Sequence, residues 1–367
     1  MGDVMRIRRK KDIMRVKKIT AMLLAGVLMT STLTGCGVNK DTTVATMKEQ
    51  NVKMGLVNFM CRYQQAKSDD SYRSYFGEGV WDQDMMGTGT TMADSLKESV
   101  LEQVHEYYTM QAHMAEYGIS LSDEEKQKIT ETATAFMNAN TKSALKEMGA
   151  TQAIVEEMLT LATIQDKVKD AIYATVDTKV SDEEANMRAY TMVEMSKEGK
   201  YDDNNNFIEY SEEQQADVRV NATMVLDYVE NGTDLEYAAS SMGFESKTGT
   251  YDSDDKSLEE DVKTALDGLK KGETSGLIET ETAYYIVRID ADTDKEATEK
   301  NKETIVEERK KDLYNDTLEG WQENDGWKVK ESKMKAIEFK NTFTQNDGSA
   351  DNAGEQIPST DTTESAE

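Results

Sequence analysis

LKKGETSGLIETETAYYIVRI, residues 269–289, contains a turn signal followed by two runs of strand-forming residues. The Gly and Ser of the Gly-Glu-Thr-Ser sequence favour a tight turn. Leu277–Thr280 and Ala283–Ile289 have the composition of short strands, and the second is rich in Tyr, Ile and Val. This stretch therefore predicts a β-hairpin.

Helix and strand patterns alternate on the N-terminal side of this hairpin. The sequence predicts a short strand over Arg188–Met195 and a polar insertion at 198–212. Helices are predicted at 212–230, Asp234–Met242 and 258–270. The block at 180–292 is thus expected to be an α+β module between helical segments.

The chain on either side of this module has a helical pattern. From Val44 on, apolar residues recur at spacings near three, four and seven, which predicts a helix. Further helices are predicted from Thr91 to Tyr117, from Ser122 on and from Thr151 to Thr175. The highly charged helix predicted at 298–320 needs a partner surface, and the N-terminal helical domain is the expected one. The predicted fold class is α+β, a mainly helical domain with an inserted α/β module.

The predicted domain organisation has six parts. They are an export signal (1–35), a tether (36–43), a helical domain (44–178), the α/β module (179–292), a C-terminal helix and strand that pack on the helical domain (295–340) and a disordered tail (342–367). The tail is assigned because it is rich in Asp, Ser, Thr, Asn and Gly and has few apolar residues.

The N-terminus has the parts of an export signal. Residues 1–18 carry eight cationic side chains, and Ile19–Leu33 is uncharged and apolar but too short to span a membrane comfortably. The sequence Leu-Thr-Gly-Cys that ends at Cys36 resembles the lipobox of bacterial lipoproteins. The resemblance implies cleavage before Cys36 and lipid on its thiol, which anchors the mature chain on the extracytoplasmic face of the cell membrane. Met14 is the predicted start of translation, because a complete signal follows it.

Composition excludes several classes of function. The net charge is −28, and without the eight basic and two acidic residues of positions 1–35 it becomes −34, a field that repels nucleic acid and anionic lipid headgroups. Once Cys36 carries lipid, Cys61 has no cysteine partner for a disulfide. With His105 and His113 as the only histidines, no metal site is predicted, and nothing in the sequence indicates a cofactor.

Two stretches of the module carry a family resemblance. VENGTDLEYAA at 229–239 and LKKGETSG at 269–276, which leads into Ala283–Ile289, resemble a parvulin-type peptidyl-prolyl isomerase domain. A helical domain, such a module and a returning C-terminal helix form the layout of PrsA/SurA-type extracytoplasmic foldases. PrsA-like members are lipoproteins, which agrees with Cys36.

The resemblance also implies a site. Parvulins place two histidines on the first and last strands of the domain, around an apolar pocket for the substrate proline. This sequence has Tyr190 and Tyr285 at those positions. Asp267 and Val262 stand where the family commonly has Phe. The implied substrate-binding residues are Met192, Val262 and Leu269.

The altered site leaves two interpretations of the module. In one, the hydroxyls of Tyr190 and Tyr285 hydrogen-bond each other and preserve an active network. In the other, which the sequence favours, both are packing residues and catalysis is weak or lost. The family's Gly-rich loop is reduced to Lys247–Asp252, and Asp252 or Asp254 is the candidate substitute for its central Cys or Asp.

The function predicted from the sequence is that of a membrane-anchored foldase or chaperone for exported proteins. An active peptidyl-prolyl isomerase and a solute-binding lipoprotein are the alternatives. The expected partners are unfolded or folding exported polypeptides and the membrane, through the lipid on Cys36, and the sequence leaves a homodimer open. Eleven Met residues lie between Met47 and Met158, and most are expected in the core, with a few lining a client groove.

Overall fold

The computed structural model describes residues 38–85, 87–201 and 205–339. The predicted export signal, Cys36 and the predicted tail lie outside these ranges. The described chain forms two compact units. Unit 1 holds the residues up to Thr175 and those from Asp312 on, and unit 2 holds Val176–Lys311. Within the described ranges, none of the helices has the length and apolar character needed to cross a membrane.

Unit 1 begins with two strands where the sequence predicted a helix from Val44. Strand β1 (Thr43–Met47) pairs antiparallel with β2 (Gln50–Lys53), with Met47 opposite Gln50. Strand β1 starts at the last residue of the predicted tether. The helical prediction was wrong for residues 44–53, because apolar spacing in so short a segment does not separate helix from strand. It is confirmed from Met54 on.

The helices of the N-terminal half follow in order. They are α1 (Met54–Phe76), α2 (Met92–His113), α3 (Asp123–Ala139), α4 (Lys142–Met148) and α5 (Gln152–Tyr173). The hydroxyl of Thr91 accepts from the backbone N–H of Asp94 and starts α2. Ser122 and Glu125 form the predicted capping box of α3. Helix α4 was not predicted, although Thr141 caps its start and Gly149 ends it with a positive φ.

Unit 2 and the C-terminal segment supply the remaining elements. They are β3 (Arg188–Ser196), β4 (Gly199–Tyr201), β5 (Phe207–Glu209), α6 (Glu212–Glu230), α7 (Leu235–Ser241), β6 (Ser246–Tyr251), α8 (Glu260–Gly268), β7 (Ile278–Glu279), β8 (Ala283–Ala291), α9 (Lys295–Gln322), β9 (Lys328–Val329) and α10 (Glu331–Met334). The polar insertion contains the small hairpin β4–β5. The α+β fold class predicted from the sequence is confirmed.

The main sheet of unit 2 has helices on both faces. Its strand order is β6-β3-β8-β7, and all neighbours are antiparallel. Helices α6 and α7 cover one face, where Val193, Met195 and Ile286 are buried. Helix α8 lies on the other face, against β7 and β8. Because side chains alternate along a strand, each strand contributes to both cores.

The C-terminal segment is part of the core of unit 1. Strand β9 pairs with β1, with Val329 opposite Ala45. Ile337 and Phe339 are buried in the same cluster as the apolar side chains of α1, α2 and α5. Both histidines of the chain stack on tryptophans of this segment. The ring centroids are 4.3 Å apart for His105 and Trp327 and 4.2 Å apart for His113 and Trp321.

Arg62 on α1 holds the end of this segment. It is 3% exposed, and its Nη1 donates to the backbone oxygen of Glu338 at 3.0 Å and to Oε1 of Gln65 at 2.5 Å. Gln65 Nε2 in turn donates to the backbone oxygen of Phe339 at 3.1 Å. The guanidinium also lies 3.6 Å from the carboxylate of Glu147. A buried guanidinium thus satisfies backbone acceptors that an apolar side chain would leave unpaired.

Replacing Arg62 with Ala is expected to destabilise unit 1 by about 3 kcal/mol. The reason is that buried acceptors lose their donor and Glu147 loses one ion-pair partner. All three tryptophans, Trp81, Trp321 and Trp327, lie in unit 1, so urea unfolding followed by tryptophan fluorescence measures this unit alone. Lys67→Ala, an exposed cation on the same helix, is the control and should change the free energy of unfolding by less than about 0.5 kcal/mol. Equal stability of the two variants would contradict the assigned role of Arg62.

Candidate functional site

The five site residues predicted from the sequence lie on the face of the unit 2 sheet that α8 covers. Tyr190, Val262 and Tyr285 are buried members of one apolar cluster, and Met192 and Leu269 pack against it while half-buried. Strand β3 carries Tyr190 and Met192, strand β8 carries Tyr285, helix α8 carries Val262, and Leu269 follows α8 directly. The fold therefore gathers these residues around one core.

The two tyrosines lie apart along their strands. In the β3–β8 register, Tyr190 is opposite Ile289 and Tyr285 is opposite Glu194. Tyr190 and Tyr285 are therefore offset by four residues, about 13 Å along a strand. The hydrogen bond between their hydroxyls, which the active-isomerase interpretation required, does not occur in this register, and each ring has its own neighbours.

Tyr285 makes a hydrogen bond that the sequence did not predict. Its hydroxyl donates to Oε1 of Glu259 at 2.8 Å, and Glu259 is the residue just before α8. Burial of the ring, together with this bond to a carboxylate, raises the pKa of the Tyr285 hydroxyl. The phenol is thus neutral at physiological pH and acts as a donor. Sequence reasoning missed Glu259 because only the packing of α8 on β8 brings it to Tyr285.

Tyr190 packs against β6. Its ring lies edge-to-face with Tyr251, with the centroids 5.8 Å apart, and it covers Gly249, which is opposite it in the register. A Cβ on Gly249 would come within 2.7 Å of the Tyr190 ring, so the ring needs glycine at this position. Burial, followed by the nearby carboxylate of Asp255, raises the pKa of the Tyr190 hydroxyl. The Tyr190 ring therefore packs between Tyr251 and the backbone at Gly249.

Side chains fill the centre of this face. Val262 and Tyr251 are each 1% exposed, and Leu266 is fully buried. Met192 and Leu269 are among the partly accessible apolar residues at the rim of the cluster. An apolar ring would thus contact this face at its edge, because entry at the centre would require moving packed side chains.

The acidic residues singled out in the sequence lie differently from the expectation. Asp267 is exposed on α8, and its carboxylate pairs with Lys263 Nζ at 3.0 Å. The segment predicted as the reduced Gly-rich loop is mostly strand β6, so that prediction was wrong. Asp252, just after β6, accepts from the side chain of Asn301 at 3.3 Å and from the backbone N–H of Asp254 at 2.9 Å.

A polar network occupies the opposite face of the same strands. Arg288 on β8 donates to both carboxylate oxygens of Glu236 at 2.8 Å, and also to Asp234 and Asp290. Thr191 on β3 donates to Asp290 at 2.7 Å. The guanidinium of Arg288 holds the pKa of Glu236 down at about 2. Since Asp234 caps the start of α7, this network fastens α7 to the sheet.

Comparison with known proteins places the module in a family. Residues 197–301 match the family model of the PPIC-type PPIase domain. The chain therefore carries a domain of the parvulin type, and the resemblance predicted for the module is confirmed. The matched range contains Val262, Leu269 and Tyr285, whereas Tyr190 and Met192 precede it.

Several solved structures are similar to the chain at low scores. The foldase protein PrsA from Lactococcus lactis has 16% identity and a TM-score of 0.33, over 81% of this chain and 97% of that one. The peptidylprolyl isomerase PrsA from Bacillus cereus has 13% identity and a TM-score of 0.33, over 82% and 98%. A SurA-like chaperone of Campylobacter jejuni has 10% identity and a TM-score of 0.28, over 78% and 98%. TM-scores this low do not by themselves establish a common fold. None of the curated protein sequences matches this chain significantly.

Replacing Glu236 with Gln is expected to lower the stability of unit 2 by about 1 kcal/mol at pH 7, a value reduced for the solvent screening of a partly exposed pair. Because the pKa of Glu236 is lowered on folding to about 2, its contribution is complete above about pH 4.5 and is lost as the pH falls towards 2. The difference from wild type should thus be equal at pH 7 and pH 5 and smaller at pH 3.

Urea unfolding followed by far-UV circular dichroism measures this difference. The tryptophan signal of unit 1 serves as an internal reference that should not shift. Glu245→Gln, which removes an exposed carboxylate of unit 2, is the matched control and should leave the unfolding curve unchanged. If the difference in unfolding free energy between Glu236→Gln and wild type stayed constant from pH 7 to pH 3, the assigned ion pair between Arg288 and Glu236 would be contradicted.

Proposed function

We propose that this protein is an extracytoplasmic foldase that holds exported polypeptides while they fold, and that its PPIC-type domain has weak or no isomerase activity. The observation that supports this proposal is that the two residues at the parvulin family's histidine positions are buried and lie apart. The two positions where the resemblance implies histidines are Tyr190 and Tyr285, both buried and offset by four residues. The matched PPIC-type domain provides the link to folding polypeptides.

The chemistry of isomerisation explains why such a site favours binding over catalysis. Rotation about a peptide bond has a barrier of roughly 18–20 kcal/mol, and an enzyme lowers it by binding the twisted amide better than the planar one. That requires the prolyl bond to enter a pocket with polar groups directed at the amide. Here Val262 and Leu266 fill the centre of the face, and the Tyr285 hydroxyl already donates its hydrogen bond to Glu259.

One observation favours the alternative of an active isomerase. The hydrogen bond between Tyr285 and Glu259 is a polar pair within an apolar cluster, with Met192 and Leu269 half-buried in the same cluster. In this alternative the Tyr285 hydroxyl turns from Glu259 to the substrate amide and Tyr190 remains a packing residue. The second alternative, a solute-binding lipoprotein, has less support, because that class uses repeated βα units and the described sheets are antiparallel.

Anchoring at the membrane is the second part of the proposal. It rests on the sequence of the first 36 residues: the basic start, the short apolar run and the four residues that end at Cys36. A lipid on Cys36 would keep the chain at the membrane surface where exported polypeptides emerge. A holding function benefits from this location whether or not the isomerase site is active.

The foldase proposal predicts separate outcomes for two activities of the chain from residue 37 on. A proline-containing tetrapeptide should isomerise at its uncatalysed rate in the presence of the wild-type protein and of Tyr285→Phe alike. The same wild-type protein should suppress aggregation of a reduced, unfolded secreted protein at an equimolar ratio, followed by light scattering. Catalysis by the wild type that Tyr285→Phe abolishes would establish the alternative instead. Absence of both activities would refute the foldase proposal.

Replacing Cys36 with Ala is expected to move the protein from the membrane to the soluble fraction. The reason is that a thiol is needed to accept the lipid, and no other residue of the signal supplies one. Radiolabelled palmitate should appear in the wild-type protein and be absent from the variant, and detergent-phase partitioning should change in parallel. Thr32→Ala, which changes the residue just before the Leu-Thr-Gly-Cys sequence, is the control and should keep both the label and the membrane location. Membrane retention of Cys36→Ala would contradict the assigned anchor.

A further inference from the structure

Helix α6 has apolar side chains on two faces, one buried and one exposed. On the inner face, Val218, Ala222 and Val225 are at most 6% exposed and pack in the core between α6, α7 and the sheet. On the outer face, Val220, Met224 and Tyr228 are 57%, 38% and 43% exposed. A helix needs only one apolar face to attach to its domain, and the inner face provides it. The core therefore does not account for the outer residues.

The outer residues form a continuous stripe. Val220, Met224 and Tyr228 follow each other at intervals of four residues, which makes successive side chains neighbours on a helix surface. The stripe spans about 12 Å along the helix axis. Single exposed apolar side chains are normal on protein surfaces, whereas contiguous ones are typical of interaction sites. We call Val220, Met224 and Tyr228 the α6 stripe.

The surroundings of the α6 stripe are acidic. Helix α6 carries five carboxylates and one cation, and all six are exposed: Glu212, Glu213, Asp217, Asp227, Glu230 and Arg219. The guanidinium of Arg219 lies 3.9 Å from the carboxylate of Glu279. Asp217 precedes Val220 by three residues and Asp227 follows Met224 by three, so both lie beside the stripe. The helix thus presents apolar side chains within a negative field.

The negative charge around the α6 stripe favours some classes of binding partner and disfavours others. A second copy of the chain would bring the same carboxylates against their own kind, and like charges at an interface cost binding energy. Nucleic acid and anionic lipid are repelled for the same reason. A polypeptide segment with apolar side chains flanked by Lys or Arg matches both features of the surface.

We propose that the α6 stripe binds cationic amphipathic segments of unfolded polypeptides. The inference deepens the proposed foldase function by naming the class of client segment, and it rests on that function for its biological meaning. The stripe lies on the α6 side of the sheet, and Tyr190 and Tyr285 belong to the core on the α8 side. This binding surface is thus separate from the family's isomerase site.

A peptide-binding measurement tests the proposal on the chain from residue 37 on, which contains every described residue. The probe is a fluorescently labelled 15-residue peptide of Leu and Lys with helical spacing, and its affinity is measured by fluorescence anisotropy. The triple variant Val220→Ser, Met224→Ser, Tyr228→Ser is expected to bind at least tenfold more weakly than wild type. The double variant Asp217→Asn, Asp227→Asn should also bind more weakly and show a smaller loss of affinity when salt is added.

Two controls make the result specific. Tyr75→Ser with Phe76→Ser removes exposed aromatic surface from unit 1 and should leave peptide affinity unchanged. The same peptide with Glu in place of Lys should bind wild type at least tenfold more weakly. Far-UV circular dichroism of the triple variant should match that of wild type, since the replaced side chains are exposed.

Three outcomes would overturn the proposal. The first is wild-type affinity in the folded triple variant, and the second is equal binding of the Lys and Glu peptides. The third is a wild-type dimer in sedimentation that the triple variant converts to monomer, because it would make the stripe a self-interface. Stripe-dependent peptide binding without suppression of client aggregation and without isomerase activity would refute the foldase function and leave the binding surface in place.

Discussion

The register in which β3 pairs with β8 decides what each face of the unit 2 sheet contains. With Tyr190 opposite Ile289 and Thr191 opposite Arg288, aromatic and aliphatic side chains point towards α8, and Thr191 and Arg288 point to the other face. A shift of the pairing by one residue would exchange the two sets. Arg288 would then enter the apolar core and lose Glu236 and Asp290. The packing of α7 and α8 therefore depends on this register.

The same register explains the chemistry of the family's site in this chain. Two phenols that lie four residues apart on neighbouring strands cannot bond each other, so the packing supplies each with different neighbours. Tyr285 finds the carboxylate of Glu259, and Tyr190 fills the space over Gly249. Both hydroxyls have raised pKa values, chiefly because of burial. Both phenols therefore stay neutral at physiological pH.

The apolar cores of the two units are completed by different structural elements. Unit 2 relies on one sheet covered on both faces, with an Arg–carboxylate network that fastens α7. Unit 1 relies on a C-terminal segment that returns to β1 and α1 and places two tryptophan rings on the two histidines of the chain. Buried Arg62 satisfies backbone oxygens at the end of this segment. The N-terminal helices and the C-terminal residues are therefore stabilised together, which makes unit 1 discontinuous in sequence.

Local signals in the sequence determined much of this protein. Capping residues such as Ser122 and Asp234, glycines at helix ends and alternating Tyr, Ile and Val in β8 act on their nearest neighbours, so most helices and the main hairpin could be predicted from them. The motifs around residues 229–239 and 269–289 likewise identified the parvulin-type module. Only the tertiary structure decided that Thr43–Lys53 forms strands, because β9, which pairs with β1, lies at the far end of the chain. It also brought Glu259 to Tyr285 and left one apolar face of α6 in solvent. These outcomes depend on which surfaces meet, and spacing along one chain segment carries no information about the partner that covers it.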